Sequence, residues 1–169
     1  MDTLEAIKTV LAVREFQDKP VSNEIVANIV EAARLTGSSM NGQPWHFIVV
    51  QSRDSLLELG RLISSGPYNS QAAFSIVVGV DKSSPYGISD ASRAIQSMVL
   101  AAWSEGVGSN WTGWTGMEDV AFFLKVPNTI DIIAVVPFGY PVNPEATGKK
   151  NRKARSDVAH REKFGEPFL

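Results

Sequence analysis

The sequence contains no cysteine and only two histidines. The absence of cysteine excludes disulfide bonds, thiolate metal sites and cysteine nucleophiles, and it is the usage expected in a reducing cytoplasm. We therefore predict a cytoplasmic protein. His46 and His160 are far apart and follow no ligand-spacing motif, so we do not expect a zinc site.

Long apolar runs and an excess of charge are also missing. No stretch approaches the roughly 20 apolar residues that a membrane-spanning helix needs. The first residues carry neither the basic nor the apolar region of a secretory signal. The net charge of −2 gives the molecule no general attraction for nucleic acid or an anionic membrane. We predict a protein with neither partner.

The remaining composition is that of a globular protein, with 44% hydrophobic and 20% charged residues. A length of 169 residues is enough for one well-buried core. Neither an internal repeat nor a low-complexity tract divides the chain. We predict a single domain over residues 1–169.

Hydrophobic periodicity predicts helices and short strands in one domain. The strongest pattern is a helix over residues 90–105, whose small and apolar side chains indicate a central, buried element. Ser22 is the predicted N-cap of an earlier helix, and Gly37 its predicted end. Thr115 and Glu118 have the spacing of a capping box. The other predicted elements are helices over residues 3–13, 54–63 and 118–125, strands over residues 47–50 and 75–80, and a long strand from residue 130.

Residues 38–47 form a polar, turn-forming loop that leads directly into an apolar strand. Serine, asparagine and glycine bend the backbone and leave amide groups free for a ligand. Pro44 forces Gln43 out of the helical region. A polar loop on a rigid strand is a frequent place for binding residues. The alternative is a well-packed connection in which Trp45 is a core residue.

Residues 106–114 combine three glycines, two tryptophans and three small polar residues. Glycine allows the backbone to approach a flat ligand closely, with aromatic rings nearby. The alternative is a glycine-punctuated strand whose tryptophans fill the core. These residues alone leave both interpretations open.

From about residue 143 the chain becomes polar and basic, with five cations among residues 149–155. Such a run is most often a solvated surface, and a nucleic-acid arm is a second interpretation. A third is a phosphate clamp, because ammonium and guanidinium groups pair well with phosphate oxygens.

Four segments, in order and at compatible spacing over nearly the whole chain, resemble the nitroreductase family of flavin-dependent oxidoreductases. Val-Arg-Glu-Phe at residues 13–16 resembles the family's opening signature. Residues 38–45 are similar to its Pro-Ser-x-x-Asn-x-Gln-Pro-Trp loop. Residues 90–108 resemble its long dimer helix and the Gly-x-Gly that follows. Phe-Gly-Tyr-Pro at residues 138–141, with the basic tail, resembles its closing segment.

The resemblance implies an α+β fold, a three-layer sandwich with a mostly antiparallel central sheet flanked by helices. It implies a homodimer in which the C-terminal tail reaches onto the partner, with two FMN sites built by both subunits. The implied chemistry is hydride transfer from NADH or NADPH to flavin N5. Two electrons then pass to a nitroaromatic, a quinone or a similar flat acceptor. No catalytic side chain is predicted, because this chemistry requires no protein acid or base.

By the same resemblance, separate groups of residues are predicted to bind FMN. The phosphate is expected to contact Arg14, Lys150 and Arg152. The loop of the partner subunit is expected to line the flavin with Ser38, Ser39 and Asn41, supported by Gln43. The other predicted flavin contacts are Asn110, Trp111, Thr112, Gly113 and, on the pyrimidine side, Asn69.

The chain departs from the family at the opening signature, which usually reads Arg-Arg-Ser-Val-Arg-x-Phe. Val10, Leu11 and Ala12 occupy the first three places. Since each charged hydrogen bond is worth about 1.5–3 kcal/mol, weaker FMN binding is expected. Lys8 either replaces part of that charge or is a plain surface lysine. The alternative function is a flavin- or ligand-binding protein of this fold with little or no turnover. The short segment over residues 108–127 predicts an open pocket with broad acceptor choice.

Overall fold

A four-stranded antiparallel sheet with the strand order β1-β2-β4-β3 forms the middle layer of the protein. The computed structural model describes residues 1–113, 115–144 and 150–168. The strands are β1 (Trp45–Val50), β2 (Phe74–Asp81), β3 (Gly108–Ser109) and β4 (Ile130–Gly139). The α-helices of the described residues are α1 (Thr3–Thr9), α2 (Asn23–Arg34), α3 (Arg53–Leu62), α4 (Gly87–Ser104) and α5 (Met117–Phe123). The predicted α+β sandwich with a mostly antiparallel sheet is confirmed.

The two faces of the sheet are covered by different helices. Successive side chains of a strand point to opposite faces, and Ile76 and Val78 of β2 accordingly belong to the cluster formed with α2 and α4. Val77 belongs to the cluster formed with α3 and α5. Because both faces are covered, β2 is buried along nearly its whole length. Ligand-binding side chains must therefore come from strand ends, loops and exposed helix faces.

The helix α4 is the central helix of one outer layer. Ala91, Ile95, Met98 and Ala102 are buried along one face. This confirms the predicted buried stripe. The other boundaries predicted for strands and helices, apart from those of α1 and α2, agree with the structure to within three residues.

A β-bulge interrupts the pairing of β2 with β4. The partner of Val78 is Ala134, but the partner of Gly79 is Ile132. Ile133 is therefore an extra residue on β4. A bulge of this kind bends the strand and re-aims a side chain, and Ile133 is turned toward the cavity beside Trp111.

The helix α1 is shorter than predicted. It ends at Thr9, and its C-cap Val10 has a non-helical backbone with ψ 130°. The Val13 N–H then donates to the Ser109 carbonyl at 2.9 Å, and Phe16 bridges to Pro141. The prediction of a helix through residue 13 is wrong, because pairing with the edge of the sheet overrides the apolar periodicity of this segment.

The predicted N-cap of α2 is confirmed, since the Ser22 hydroxyl accepts from the Ile25 N–H at 3.3 Å. The predicted end at Gly37 is wrong. The helix ends at Arg34 with Leu35 as its C-cap, and Leu35 has a right-handed backbone that does not need glycine.

The predicted capping box before α5 is wrong as well. The N-cap is Gly116, which has φ +81° and makes no side-chain capping bond. A Cβ there would lie 2.2 Å from the Leu62 carbonyl oxygen, so only glycine fits. The Thr115 hydroxyl instead lies 2.8 Å from the Ser64 hydroxyl.

Candidate functional site

The loop at residues 38–43, called the 38–43 loop below, connects α2 to β1 with a strained backbone. Met40, Asn41 and Gln43 have φ values of +53°, +55° and +47°. A left-handed conformation costs a residue with a side chain about 1–2 kcal/mol. The Ser38 hydroxyl accepts from the Gln43 N–H at 3.0 Å, and Gln43 Nε2 donates to the Asn41 carbonyl at 3.3 Å. These bonds close the loop on itself and leave Asn41 and Gln43 exposed.

Asp90, in the first turn of α4, attaches this loop to the helix through hydrogen bonds to Ser39. Its carboxylate accepts from the Ser39 N–H at 3.0 Å and from the Ser39 hydroxyl at 3.0 Å, and it pairs with Arg93. Asp90 is only 1% exposed. Burial raises the pKa of the carboxyl, but the hydrogen bonds from Ser39 and the charge of Arg93 outweigh burial and hold the pKa below its usual range. The loop is therefore attached to α4 by an ionised carboxylate at neutral pH.

The segment over residues 108–113, called the 108–113 segment below, is held mainly by its backbone. Thr112 exchanges both backbone hydrogen bonds with Val135, at 3.0 and 2.9 Å. A Cβ on Gly108 would lie 2.4 Å from Val13 Cγ2. Gly113 has φ +141°, and a Cβ there would lie 3.0 Å from the β4 backbone. Glycine at these two positions allows the segment to lie flat on its neighbours.

Trp111 presents part of its ring to solvent, with 40% of the residue exposed. It lines a cavity of about 300 Å³ together with Ile88, Gly113, Ile132 and Ile133. The alternative in which the tryptophans of this segment fill the core therefore does not hold for Trp111. Trp114 lies outside the described residues. An exposed aromatic ring beside a glycine backbone suits a flat ligand.

Asn110 continues this open face. Its side-chain amide donates to the Tyr68 hydroxyl and, at 3.2 Å, to the Trp111 carbonyl. Tyr68 lies in a 3₁₀ turn over Pro67–Gln71. The amide of Asn110 is thus oriented by two neighbours while the residue itself remains partly exposed.

Asn69 and the side chain of Thr112 lie in the interior, on the buried side of the 108–113 segment. Asn69 Nδ2 donates to the Gly66 carbonyl at 2.8 Å and to Thr112 Oγ1 at 3.3 Å, and Asn69 Oδ1 accepts from Ser75 at 3.0 Å. The Thr112 hydroxyl donates to the Val135 carbonyl at 2.6 Å. Both residues are buried. The structure thus gives them a supporting position, and their direct contact with FMN stays a prediction.

Arg14 is exposed at the edge of a cavity of about 360 Å³. Leu11, Ala12, Trp103 and Pro141 also line this cavity. Glu15 and Asn143 line it too, so the cavity combines one cationic, one anionic and one amide side chain with an apolar wall. Leu11 and Ala12 belong to that wall, at the two places where the resemblance described above would put arginine and serine.

The basic tail contacts the segment that leads to Arg14. Lys150 Nζ donates to the Ile7 carbonyl at 2.6 Å, in the last turn of α1. Burial and, secondly, the charge of Arg152 lower the pKa of Lys150 below its usual value. Arg152 is exposed, and Lys149 lies outside the described residues. Of the three predicted phosphate ligands, Lys150 contacts the end of α1 and Arg14 lies in the segment that follows α1.

The 38–43 loop and Arg14 lie at opposite ends of α4. Asp90 binds the loop in the first turn of α4, whereas Trp103 lines the cavity beside Arg14 in the last turn. At a rise of 1.5 Å per residue, Asp90 and Trp103 are about 20 Å apart along the helix axis. One protomer therefore presents two separate candidate binding regions.

Sequence reasoning assigned no binding role to Asp90, Arg93 or Tyr68. A signal for Asp90 was available, because it lies four and eight residues before the buried Ala94 and Met98. A charged residue in phase with an apolar stripe indicates a buried, partnered charge. The alternative that Trp45 is a core residue is confirmed, since it is buried and stacks on Phe47 with ring centroids 6.2 Å apart.

Two negative findings apply to the described residues. None of their helices combines the length and apolar character needed to cross a bilayer. Nor does any group of three or more histidine, aspartate or glutamate side chains among them form a potential metal site.

The profile of the nitroreductase family matches residues 11–82 and 70–140. A Methanothermobacter thermautotrophicus protein named "Putative NADH dehydrogenase/NAD(P)H nitroreductase" is 35% identical over 155 residues, which cover 87% of this chain and 81% of the relative. A crystal structure of a protein of that name from Parabacteroides distasonis superposes with a TM-score of 0.88 at 31% identity, covering 96% of this chain and 98% of the other. The structure of an "FMN-dependent Nitroreductase" from Clostridium difficile gives 0.83 at 26% identity, covering 95% and 99%. This chain belongs to the nitroreductase family.

Proposed function

We propose that the protein passes two electrons from NADH or NADPH, through FMN, to a nitroaromatic, a quinone or a similar flat acceptor. It is an NAD(P)H-dependent flavin oxidoreductase with FMN as its cofactor. Membership of the nitroreductase family and the names of the relatives, which include NAD(P)H and FMN, support this statement. What we propose beyond this statement is the class of the electron acceptor and the homodimeric assembly.

The observation that carries the proposal is that two candidate binding regions lie at the two ends of α4. One is Arg14 with its cavity and the other is the 38–43 loop, and they are called half-sites below. These regions of one protomer are about 20 Å apart along α4, so a ligand of the size of FMN would contact both Arg14 and a 38–43 loop most readily between two copies of the chain. An isologous dimer brings each half-site of one protomer to the complementary half-site of its partner. We therefore propose a homodimer with two composite sites and with the α4 helices of the two protomers antiparallel.

The residues at the half-sites fit FMN. Arg14, exposed beside the cavity, would offer a guanidinium group to the phosphate. Lys150, which bonds to the Ile7 carbonyl of α1, and Arg152 are the further phosphate ligands that we propose. Trp111 and Gly113 offer an aromatic face and a flat backbone to the ring. From the partner subunit, the 38–43 loop would offer the exposed side chains of Asn41 and Gln43 and the hydroxyl oxygens of Ser38 and Ser39, since the donor groups of Ser39 bond to Asp90.

FMN supplies the redox chemistry when it is bound. The protein would hold the ring in place with a rigid segment, because the N–H and the C=O of Thr112 both bond to Val135 of β4. Asn69 and Thr112 stabilise that segment from the interior. Trp111 and the bulge residue Ile133 present apolar side chains to one side of the cavity.

The acceptor side is expected to be open. The helix α5 has only seven residues, and Phe122 near its end is 88% exposed. A short helix leaves little chain to cover a pocket, so we propose broad acceptor choice. Rates measured in parallel with several nitroaromatics and quinones should be similar, and a rate for one acceptor far above all others contradicts this part.

The apolar wall at Leu11 and Ala12 favours a second candidate function. With fewer charged partners for the phosphate, the protein would hold a flavin or another flat ligand weakly and turn over little or not at all. The two candidates differ in whether a bound flavin is reduced by a nicotinamide nucleotide.

The first experiment is the absorption spectrum of the purified protein, with FMN added if it is colourless, followed by anaerobic titration with NADH and NADPH. Bleaching of the bound flavin by either nucleotide supports the oxidoreductase. Bound flavin that neither nucleotide reduces supports the second candidate. A colourless protein that does not bind added FMN overturns both the cofactor and the reaction.

The phosphate half-site has its own variant test. Arg14→Gln should weaken FMN binding by about 10- to 100-fold, the worth of one charged hydrogen bond, and leave riboflavin binding unchanged. Arg34→Gln is the matched control, because Arg34 pairs with Glu31 on the exposed surface of α2. Equal affinity of wild type and Arg14→Gln for FMN would remove Arg14 from the proposed site.

A further inference from the structure

Ser39 contacts two oppositely charged side chains of α4, the Asp90 carboxylate and the Arg93 guanidinium group. The Ser39 N–H lies 3.0 Å from Asp90 Oδ2 and 3.2 Å from Oδ1, and the Ser39 hydroxyl lies 3.0 Å from Oδ1. Arg93, one turn later on α4, pairs with the same carboxylate, and its Nη2 lies 3.5 Å from the Ser39 hydroxyl. Both groups of Ser39 that can donate a hydrogen bond are therefore fixed by α4.

The 38–43 loop needs an external attachment of this kind. Met40 and Asn41 follow Ser39 directly with φ values of +53° and +55°. Residues with side chains keep such a backbone only when the surroundings impose it. The Met40 side chain is 91% exposed and supplies little packing. The bonds of Gln43 to Ser38 and Asn41, and those of the Asn41 and Gly42 N–H groups to the carbonyls of Ser38 and Ser39, all lie within the loop. The hydrogen bonds that attach the loop to another element are those of Ser39 to Asp90 on α4.

Among the residues that the structure describes, two other ion pairs have the same i,i+3 spacing and serve as references. Glu31 with Arg34 on α2 and Glu58 with Arg61 on α3 have carboxylates that are 49% and 32% exposed. The side chain of Asp90 is 1% exposed. Surface pairs of this spacing contribute little to stability. The pair on α4 differs because its carboxylate is buried and also binds a loop.

We propose that Asp90 and Arg93 are positioning residues that set the conformation in which the 38–43 loop meets the flavin. They act through Ser39 and do not touch the flavin themselves. This inference rests on the proposed function, since the loop is the part of the site contributed by the partner subunit. An ionised carboxylate is required, because it accepts from the Ser39 amide, the Ser39 hydroxyl and Arg93 together. An isosteric amide carries no charge for Arg93 and has one acceptor oxygen.

The first test uses the flavin-free protein. In Asp90→Asn, hydrogen exchange of the Ser39 and Gln43 amides should become at least tenfold faster than in wild type. Arg93→Gln, which alters a half-exposed side chain and leaves the core intact, should show a smaller increase of several-fold. Arg34→Gln should leave both amides unchanged. Wild-type exchange rates in Asp90→Asn overturn the inference.

The second test measures the dissociation constants for FMN and riboflavin. In Asp90→Asn both constants should rise by about the same factor, near tenfold, because the loop faces the ring and not the phosphate. Arg14→Gln should raise the constant for FMN alone. Loss of FMN affinity with unchanged riboflavin affinity in Asp90→Asn overturns the inference.

The outcomes separate this inference from the proposed function. If wild type binds neither flavin, the proposed function fails. If wild type binds both flavins and Asp90→Asn binds them equally well, the inference fails alone. If Asp90→Asn does not fold, the decision passes to Arg93→Gln, where unchanged exchange and unchanged flavin affinity overturn the inference.

Discussion

The 38–43 loop and the 108–113 segment are the two parts of the chain proposed to enclose the flavin, and they are called the side-chain wall and the backbone wall below. They are held in place by different physical means. The 38–43 loop depends on side chains, namely a buried carboxylate, an arginine and two serine hydroxyls. The 108–113 segment depends on backbone hydrogen bonds to β4 and on glycines that leave no room for a side chain. A wall built by side-chain chemistry responds to changes of charge and pH. A wall built by the backbone responds to changes of volume.

The difference follows from where each wall lies. The 108–113 segment continues the edge strand β3 along β4, so its N–H and C=O groups find partners in the sheet. The 38–43 loop connects a helix to a strand and has no strand beside it. Its backbone groups must bond to side chains or within the loop, and a residue as far away in sequence as Asp90 becomes part of it.

Gly108→Ala should have the largest effect, on the backbone wall. The added Cβ would lie 2.4 Å from Val13 Cγ2, and overpacking of this kind costs about 3 kcal/mol at the upper end of its usual range. We expect a fall in Tm of about 6–12 °C in thermal unfolding, given about 2–4 °C per kcal/mol for a chain of this size. Gly37→Ala is the control, since an added Cβ there meets nothing within 4 Å. Adding Val13→Ala should recover part of the loss, and a wild-type Tm in Gly108→Ala contradicts the volume argument.

Thr112→Val tests whether side chains matter beneath the backbone wall. The variant removes the hydroxyl that bonds to Val135 and Asn69. Each of these partners keeps another hydrogen bond, so the free energy of unfolding should fall by only about 1 kcal/mol, the net worth of a hydrogen bond. Urea denaturation measures this change. Thr115→Val, at an exposed hydroxyl, should change it less, and an equal loss in both variants would contradict the assignment.

Met40→Gly tests the strain in the side-chain wall. Glycine removes a left-handed strain of about 1–2 kcal/mol but adds about 0.5–1 kcal/mol of unfolded-state entropy. The free energy of unfolding should therefore rise slightly, by about 0.5 kcal/mol. Met40→Gly should raise the free energy of unfolding and Gly108→Ala should lower it, because the first relieves backbone strain and the second adds volume where there is no room. A clear loss of stability in Met40→Gly would mean that the exposed methionine packs in the loop.

In the wild-type protein, acid pH should loosen the 38–43 loop before it loosens the 108–113 segment. The pKa of Asp90 is lowered in the folded protein, so its stabilisation is present above the unfolded value of about 3.9 and disappears as pH falls through the lower folded value. Amide exchange of Ser39, corrected for the intrinsic rate, should rise below about pH 4 before that of Thr112. The same Ser39 amide in Asp90→Asn should lack this rise. A wild-type Ser39 that follows Thr112 over the whole acid range contradicts the prediction.

The periodic parts of the chain could be predicted from the sequence. The stripe of α4 and the Ser22 cap were confirmed because both depend on residues within a few positions of each other. The end of α1 and the cap of α5 were predicted wrongly for a common reason. Ser109 pairs with the residues after α1, and Leu62 packs against Gly116, and both lie far away in sequence.

The candidate site divides in the same way. The exposed polar residues of the 38–43 loop and Trp111 could be chosen from their residue types and order. The burial of Asn69 and Thr112 could not, because a polar residue in a turn or strand looks the same whether its partners are water or the interior. The single domain over residues 1–169, the cytoplasmic location and the exchanged tail stay predictions.

By itself, the sequence determined the class of the protein. Residue type and short-range spacing are enough for a helical stripe, a turn-forming loop, a basic tail and a set of family motifs in order. Only the tertiary structure decided that Asp90 is buried beneath Ser39 and that the 38–43 loop and Arg14 lie at opposite ends of α4. The reason is physical, since burial and distance arise when remote segments pack together, and no local pattern contains them.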